Sequence, residues 1–440
     1  MNKFIIKAAL AFLLFLYIYN PPLRFFPLNS GIIIGGVFFT LYLFQLLMKM
    51  SLLKTVTFNK HLLMLIGIIS VLVLYSFLIP VMSGSADFQL SKNYLSFLLF
   101  YLPGAFGMVE LFKKYFTAAE VVKIFVSVTV LQSIIMLSMF VNPDIKNFFF
   151  SLLRDAEARV QQNKTSGGFR FLGFALGGSW DLSIVQSLGM MCVALLVQTG
   201  KRQNNLKNAL FFLLLLVSVF LAGRTGVFGI LLALLLLLIP ARSTEIPLYK
   251  ITKFVVLLCL ITVPLFFFIR SRIPDTVVDI IQTNFLPWAV EMFQNDNGGA
   301  LETKSSNELK TMYFVPSVNT MLLGDGYYKN QFDTNRYYMD TDAGYMRHLL
   351  FYGIPGSILL VCLYLLIFYQ MYKFSSALHP SPAVRLFIIF TGIYFFAAHA
   401  KGDLLGGADM PVKTLFFLYA VFISFYGTQS KPATTITGTK

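Results

Sequence analysis

From residue 3 to residue 19 the sequence reads KFIIKAALAFLLFLYIY, and runs of the same kind keep returning as far as residue 428. That segmentation constrains the fold more than anything else in the chain. A helix needs about 20 apolar residues to cross about 30 Å of hydrocarbon, and within that layer its backbone must satisfy its own hydrogen bonds. The runs predict helices near 4–19, 31–48, 62–82, 94–112, 119–141, 180–199, 208–222, 227–241, 254–270, 349–372, 386–400 and 413–428. The expected fold class is an all-α integral membrane protein of about twelve transmembrane helices, one polytopic domain over 1–440. A single large hydrophilic loop, 271–347, is inserted before the tenth helix, and a disordered tail is expected over 429–440.

Composition agrees. Charged residues make up 12% of the chain, about half the share usual in a soluble domain, and mean hydropathy is +0.72. A net charge of +15 would suggest nucleic acid as partner in a soluble protein; in a polytopic one it marks inner loops anchored by Lys and Arg. Cys192, Cys259 and Cys362 fall in apolar runs with no CxxC or His nearby, so neither a disulfide framework nor a zinc site is expected. The N-terminus resembles a signal peptide but lacks a small-x-small cleavage site, and is read as an uncleaved first helix.

The connecting segments alternate. One set holds Lys49, Lys54, Lys60, Lys113, Lys114, Lys201, Arg202, Lys207, Arg242, Lys250, Lys253, Lys373 and Arg385. The other set's short members hold far fewer basic residues, so both termini are expected in the cytoplasm, with 142–170 and 271–347 outside. The stretch 208–241 tests this parity. As one helix it would bury Arg224 near mid-membrane at about 2.5–3.5 kcal/mol. As a hairpin, Ala222-Gly223-Arg224-Thr225-Gly226 becomes a recessed outer turn with glycine where a turn needs it. The hairpin is preferred.

The long loop is uneven. PDTVVDIIQTNFLPWAVEMF has an apolar face that could lie along the membrane interface. NDNGGALETKSSNE reads as a flexible connector, and ELKTMYFVPSVNTMLL as a short helix halted near Pro316 or at Gly324. The end of the loop, LGDGYYKNQFDTNRYYMDTDAGYMRHLLFYGIPG over 323–356, mixes charges with tyrosines and runs directly into a hydrophobic helix.

Four outward spots combine charge with recess. Glycines around Arg170 and before Asp181 permit irregular backbone lining a cavity; Arg170 also reads as an interface anchor and Asp181 as a helix cap. Arg224, in its recessed turn, is costly unless paired or functional. Asp342 and Tyr345 are three apart and would share a helical face, with Arg347 off it and His348 either functional or a polar anchor. His399-Ala400-Lys401-Gly402-Asp403 is the fourth, with a solvated loop as its alternative. Guanidinium forks match phosphate oxygens bidentately, and a carboxylate can orient or deprotonate a sugar hydroxyl. Such a set suits displacement of a glycan from a lipid diphosphate. Tyr327, Tyr328, Tyr337 and Tyr338, read as exposed, suit stacking on sugar rings. No metal is needed for that displacement.

About twelve spans, a large late outer loop, an Arg-Thr-Gly turn between short helices, and Asp-x-Gly-Tyr followed by Gly-Ile-x-Gly resemble the O-antigen polymerases of the Wzy type. The resemblance implies a GT-C-class glycosyltransferase of the bacterial inner membrane. Its donor and acceptor would be undecaprenyl-diphosphate-linked oligosaccharides, joined at the periplasmic face without cofactor or metal. A chain-length regulator protein is a further partner it allows, and membrane lipid its surroundings. It implies functional arginines at Arg170 and Arg224, with Arg347 a further one, and a role for Asp342; joined to the reading of the residues, this gives catalytic roles to Asp342, Arg224 and Arg170 and substrate binding to Arg347, Tyr345, Asp181, His348, Lys401 and Asp403. The related O-antigen ligases carry histidine eleven residues before the first glycine of Gly-x-x-Gly; counting back from Gly353 gives Asp342 here, and His348 is out of register. The ligase, transferring glycan to a lipid A core, remains an alternative, as does a lipid-linked-oligosaccharide flippase from another class.

Overall fold

The computed structural model describes residues 3–51, 60–165, 172–199, 205–238, 279, 282–283, 304–333, 336–377, 379 and 381–429. The helix expected at 254–270, the interfacial stretch at 274–293 apart from Asp279, Gln282 and Thr283, and the tail beyond Gln429 lie outside the described residues, as does Arg170. The chain runs α1 (Lys3–Tyr19), α2 (Ser30–Ser51), α3 (Lys60–Ser83), α4 (Gln89–Lys113), α5 (Ala118–Val141), α6 (Pro143–Ser151), α7 (Ala156–Thr165) and α8 (Ser179–Thr199). It continues through α9 (Asn205–Ala222), α10 (Thr225–Leu238), α11 (Lys304–Thr311), α12 (Val318–Leu323), α13 (Gly344–Lys373), α14 (Pro382–Lys401) and α15 (Asp409–Gln429). Among the described residues there is no strand, only two isolated bridges.

Six of these helices, α3, α4, α5, α8, α13 and α14, are long and apolar enough to cross a membrane, and α2, α9 and α10 carry shorter apolar stretches. The protein is membrane-embedded. Burial sorts the spans: 78% of the apolar window of α8 is buried, against 33% in α3. Helix α8 is the axis of the bundle, packed by α5, α9, α10, α14 and α15.

Hydrocarbon gives apolar side chains no reason to leave lipid, so close backbone approach and polar pairs hold such helices together. Ser187 of α8 donates to the Gly226 carbonyl of α10 at 3.0 Å, and Ser133 of α5 meets Ser218 of α9 at 2.9 Å. A Cβ on Gly226 would run into Val219 and Ser187, and one on Gly229 into Ser187 and Tyr394.

Over the described part of the expected hairpin, 208–238, two helices meet at Gly223–Arg224. Its glycines act differently from the expectation. Neither Gly223 nor Gly226 has a positive φ; Gly226 lies inside α10 and lets it approach α8. The outer segment 142–165 holds two short helices where a loop was expected, the first capped by Asn142 through the Asp144 and Ile145 amides, with Pro143 as its first residue. Part of the expected connector, 304–308, is helical in α11; Pro316 and Gly324 bracket α12, and Gly324 ends it at φ +77°.

Helix α13 begins at Gly344, earlier than the run expected at 349, and is two helices in one. Tyr352 (φ −134°) and Gly353 (φ +69°, ψ −170°) break it into 344–351 and 354–373. The carbonyls freed at the break accept the amides of Asp325 (onto Leu350, 2.6 Å) and Gly326 (onto Phe351, 3.0 Å). The Gly-Ile-x-Gly motif thus docks the loop: a Cβ on Gly353 would lie 2.7 Å from the Leu322 carbonyl oxygen.

Candidate functional site

At the end of the bundle where α8, α10 and α13 begin and α14 ends, a cavity of about 240 Å³ opens among four separated stretches of sequence. Arg224 and Thr225 come from the α9–α10 turn, Asp342 and Arg347 from the start of α13, Lys401 and Asp403 from the end of α14, and Ser179 and Trp180 from the first turn of α8. Three cations and two carboxylates, far apart in sequence, share one small space.

Arg347 is its most constrained member. It is 5% exposed, and its guanidinium is sandwiched between the Tyr337 ring (3.5 Å to the centroid) and the Tyr328 ring (3.9 Å). Both faces are covered by cation–π stacking, leaving only the in-plane edges for hydrogen bonds. Its Nε and Nη2 atoms, which form one fork of the guanidinium, are buried and bond to nothing among the described residues. An unsatisfied buried fork fits a bidentate oxyanion, carboxylate or phosphate.

The two carboxylates differ. Asp403, 3% exposed, accepts from His348 Nε2 (2.7 Å), the Gly406 amide (2.9 Å) and the Tyr328 hydroxyl (2.5 Å). Burial pushes its carboxyl up, but the facing His348 with its hydrogen bond, then Arg347 and His399, outweigh burial and hold it well below the usual carboxylate range. Asp342 is exposed on the cavity wall, and the described residues offer its carboxylate no hydrogen bond. Although its surface is open, the protein packed around it raises its carboxyl above the ordinary range; Arg347 and Lys401 oppose that rise and Asp403 adds to it.

Behind the wall, His348 Nδ1 meets the Tyr352 hydroxyl at 2.6 Å and Tyr352 meets Tyr94 at 2.9 Å. His399 Nδ1 accepts the amides of Leu404 and Leu405. Ligand atoms of His348, His399 and Asp403 lie within 4.8 Å of one another, a spacing a cation could use. Yet both His348 nitrogens, the His399 Nδ1 and the near Asp403 oxygen are already engaged in hydrogen bonds, so the cluster is a closed polar network. His348 is therefore not an interface anchor.

Other expectations are corrected. Asp342 precedes the Ala343 N-cap, so it shares no helical face with Tyr345. Tyr345 turns away, its hydroxyl on the Phe396 carbonyl at 3.0 Å. Asp181 is buried beside the cavity rather than on its wall, and accepts the Gly178 amide at 3.4 Å in the manner of a cap. Tyr328 is buried rather than exposed, and Tyr327 stacks on Tyr338. Trp180, half-buried on the cavity wall with its ring against Gly402, was missed; its signal was a tryptophan directly before Asp181. Comparison of the chain with family models, with curated proteins and with solved structures finds no match in any of the three.

Proposed function

We propose that the chain is a membrane glycosyltransferase that polymerises undecaprenyl-diphosphate-linked oligosaccharide repeats at the periplasmic face of a bacterial inner membrane. The reading takes about twelve spans, a GT-C-like architecture and both termini in the cytoplasm. One observation carries it: Arg347, whose buried fork is left unbonded among the described residues, lines a cavity that also holds Arg224, Lys401 and the unbonded carboxylate of Asp342.

In this reading the growing glycan enters on its lipid diphosphate. Arg224 and Arg347 bind the diphosphate oxygens and take up the negative charge that grows as the anomeric carbon–oxygen bond breaks. The terminal hydroxyl of the incoming repeat approaches Asp342, which accepts its proton as the new glycosidic bond forms on the opposite face of the sugar. The product is inverted at that carbon, and the diphosphate leaves with the bonding electron pair. Trp180 gives the cavity an aromatic surface on which a sugar ring can lie.

The experiment is direct. Purified protein in detergent is given lipid-diphosphate-linked repeats, and the products are separated by length. Chains of many repeats are expected from the wild type and single repeats from Arg224→Ala. A wild-type protein that forms no sugar linkage while moving the lipid across sealed vesicles would make it a flippase. Transfer to a lipid A core alone would make it the ligase.

A further inference from the structure

We propose that Asp403 is a positioning residue: a carboxylate locked in its ionised form by His348, Tyr328 and the Gly406 amide, whose fixed charge keeps the neighbouring Asp342 able to take up a proton. This deepens the polymerase reading, which assigns the proton to Asp342, and it removes Asp403 from the groups that touch substrate.

The argument rests first on geometry. Both oxygens of Asp403 are taken, Oδ1 by His348 and Gly406 and Oδ2 by Tyr328. Its principal partner is held from behind, since His348 is 1% exposed and its second nitrogen is fixed by Tyr352. A carboxylate with that many donors cannot readily turn to receive a substrate hydroxyl. Asp342 on the same cavity has none of these bonds and is free to receive one. Two acids in one site whose surroundings pull them in opposite directions divide the work between them, and the opposite displacements of these two agree with that division.

The groups facing Asp342 are Arg347 on α13, Tyr337 on the loop before it, Lys401 and Asp403 at the end of α14, and Arg224 in the α9–α10 turn. Those facing Asp403 are His348, Arg347, Tyr352 and Tyr364 on α13, His399 on α14, Asp181 on α8, Tyr94 on α4, and Tyr328 and Asp342 before α13. The cations around Asp342 favour its ionised form; Asp403 is the fixed anion that offsets them. Replacing Asp403 by a neutral residue must therefore make Asp342 ionise more easily.

The test is an infrared pH titration of the purified protein in detergent, with the Asp342 carboxyl band assigned by difference from Asp342→Asn. In Asp403→Asn the Asp342 midpoint is expected to fall by about one pH unit, whereas Asp403→Glu, which keeps the charge, leaves it near the wild-type position. An unchanged midpoint in a folded Asp403→Asn protein overturns the proposal. His348→Gln gives a second arm that leaves Asp403 in place: with its main partner gone, a second carboxyl should enter the titration range. A single carboxyl titrating as in the wild type would equally overturn it. In the chain-extension assay, the acid limb of the rate–pH profile of Asp403→Asn should move down with the infrared midpoint. Because the titration needs no glycan, a shift without polymerisation would sink the polymerase reading alone, and polymerisation without a shift would sink this one alone.

Discussion

Two carboxylates lie six residues apart, at either side of the turn between α14 and α15, Asp403 buried and Asp409 part-exposed, and they have different work. Asp403 stands on the cavity wall within a network of histidine and tyrosines. Asp409 accepts from Tyr101 (2.8 Å) and Asn20 (3.2 Å) and lies 3.7 Å from the fully buried ammonium of Lys413, which also sits 4.3 Å from the Tyr101 ring. Asn20 in turn accepts the Gly31 amide at 2.7 Å. This second centre is a clip: its bonds fasten the end of α1 and the starts of α2 and α15 to the middle of α4. Buried charge alone therefore does not mark a site. Lys413 Nζ, like the Arg347 fork, is buried without a hydrogen bond among the described residues; what separates the two centres is the cavity that Arg347 lines.

The largest effect expected from breaking this contrast is on the clip. Asp409→Asn leaves the fully buried ammonium of Lys413 without its anion, which should cost about 3–5 kcal/mol of stability, read as thermal unfolding in detergent. The paired change Asp409→Asn with Lys413→Met should recover most of that loss, because it removes both charges together. On the cavity side, Arg347→Lys keeps the charge but loses the fork and both ring stacks. Chain extension should slow about 10²–10³-fold while the unfolding temperature stays close to that of the wild type. Equal unfolding losses in the two variants would erase the distinction.

Gly353→Ala tests the support of the cavity without touching a charge. It forces a side chain into φ +69° and against the Leu322 carbonyl, and should cost about 1–3 kcal/mol, with extension slowed through displacement of Arg347. The smallest effect is expected from Lys401→Ala. Lys401 is half-exposed at the end of α14, where a charge contributes about 0.2–1 kcal/mol. Its loss should slow extension no more than about fivefold, and less as salt is raised.

The sequence carried the long apolar helices, six of which among the described residues could cross a membrane, and most of the site's charges, for physical reasons. Apolar runs of membrane length cannot be hidden, and Arg224 inside one of them forced a turn that the structure contains. Arg224, Asp342, Arg347, Lys401 and Asp403 were each legible as charges beside apolar helices, and they meet on one cavity. Their division of labour was not legible, because it depends on partners distant in the chain: Tyr328 and His348 reach Asp403 across 75 and 55 residues. Tyr345 and Asp181 share the composition of the site and are turned elsewhere by local bonds that no spacing encodes. The start of α13 was misplaced because hydropathy alone sets a helix end where apolar residues begin, whereas the backbone turns helical five residues sooner.

The break at Gly353 works as a depth gauge. Below it, 354–373 is 20 residues, about 30 Å of helix, which by itself matches the thickness of the hydrocarbon layer. In a bilayer spanned by 354–373, the short piece before the break, bearing Arg347 and His348, would stand at the level of the lipid phosphates. An anionic headgroup whose tail stays among the acyl chains could then meet the guanidinium without either partner leaving its own stratum.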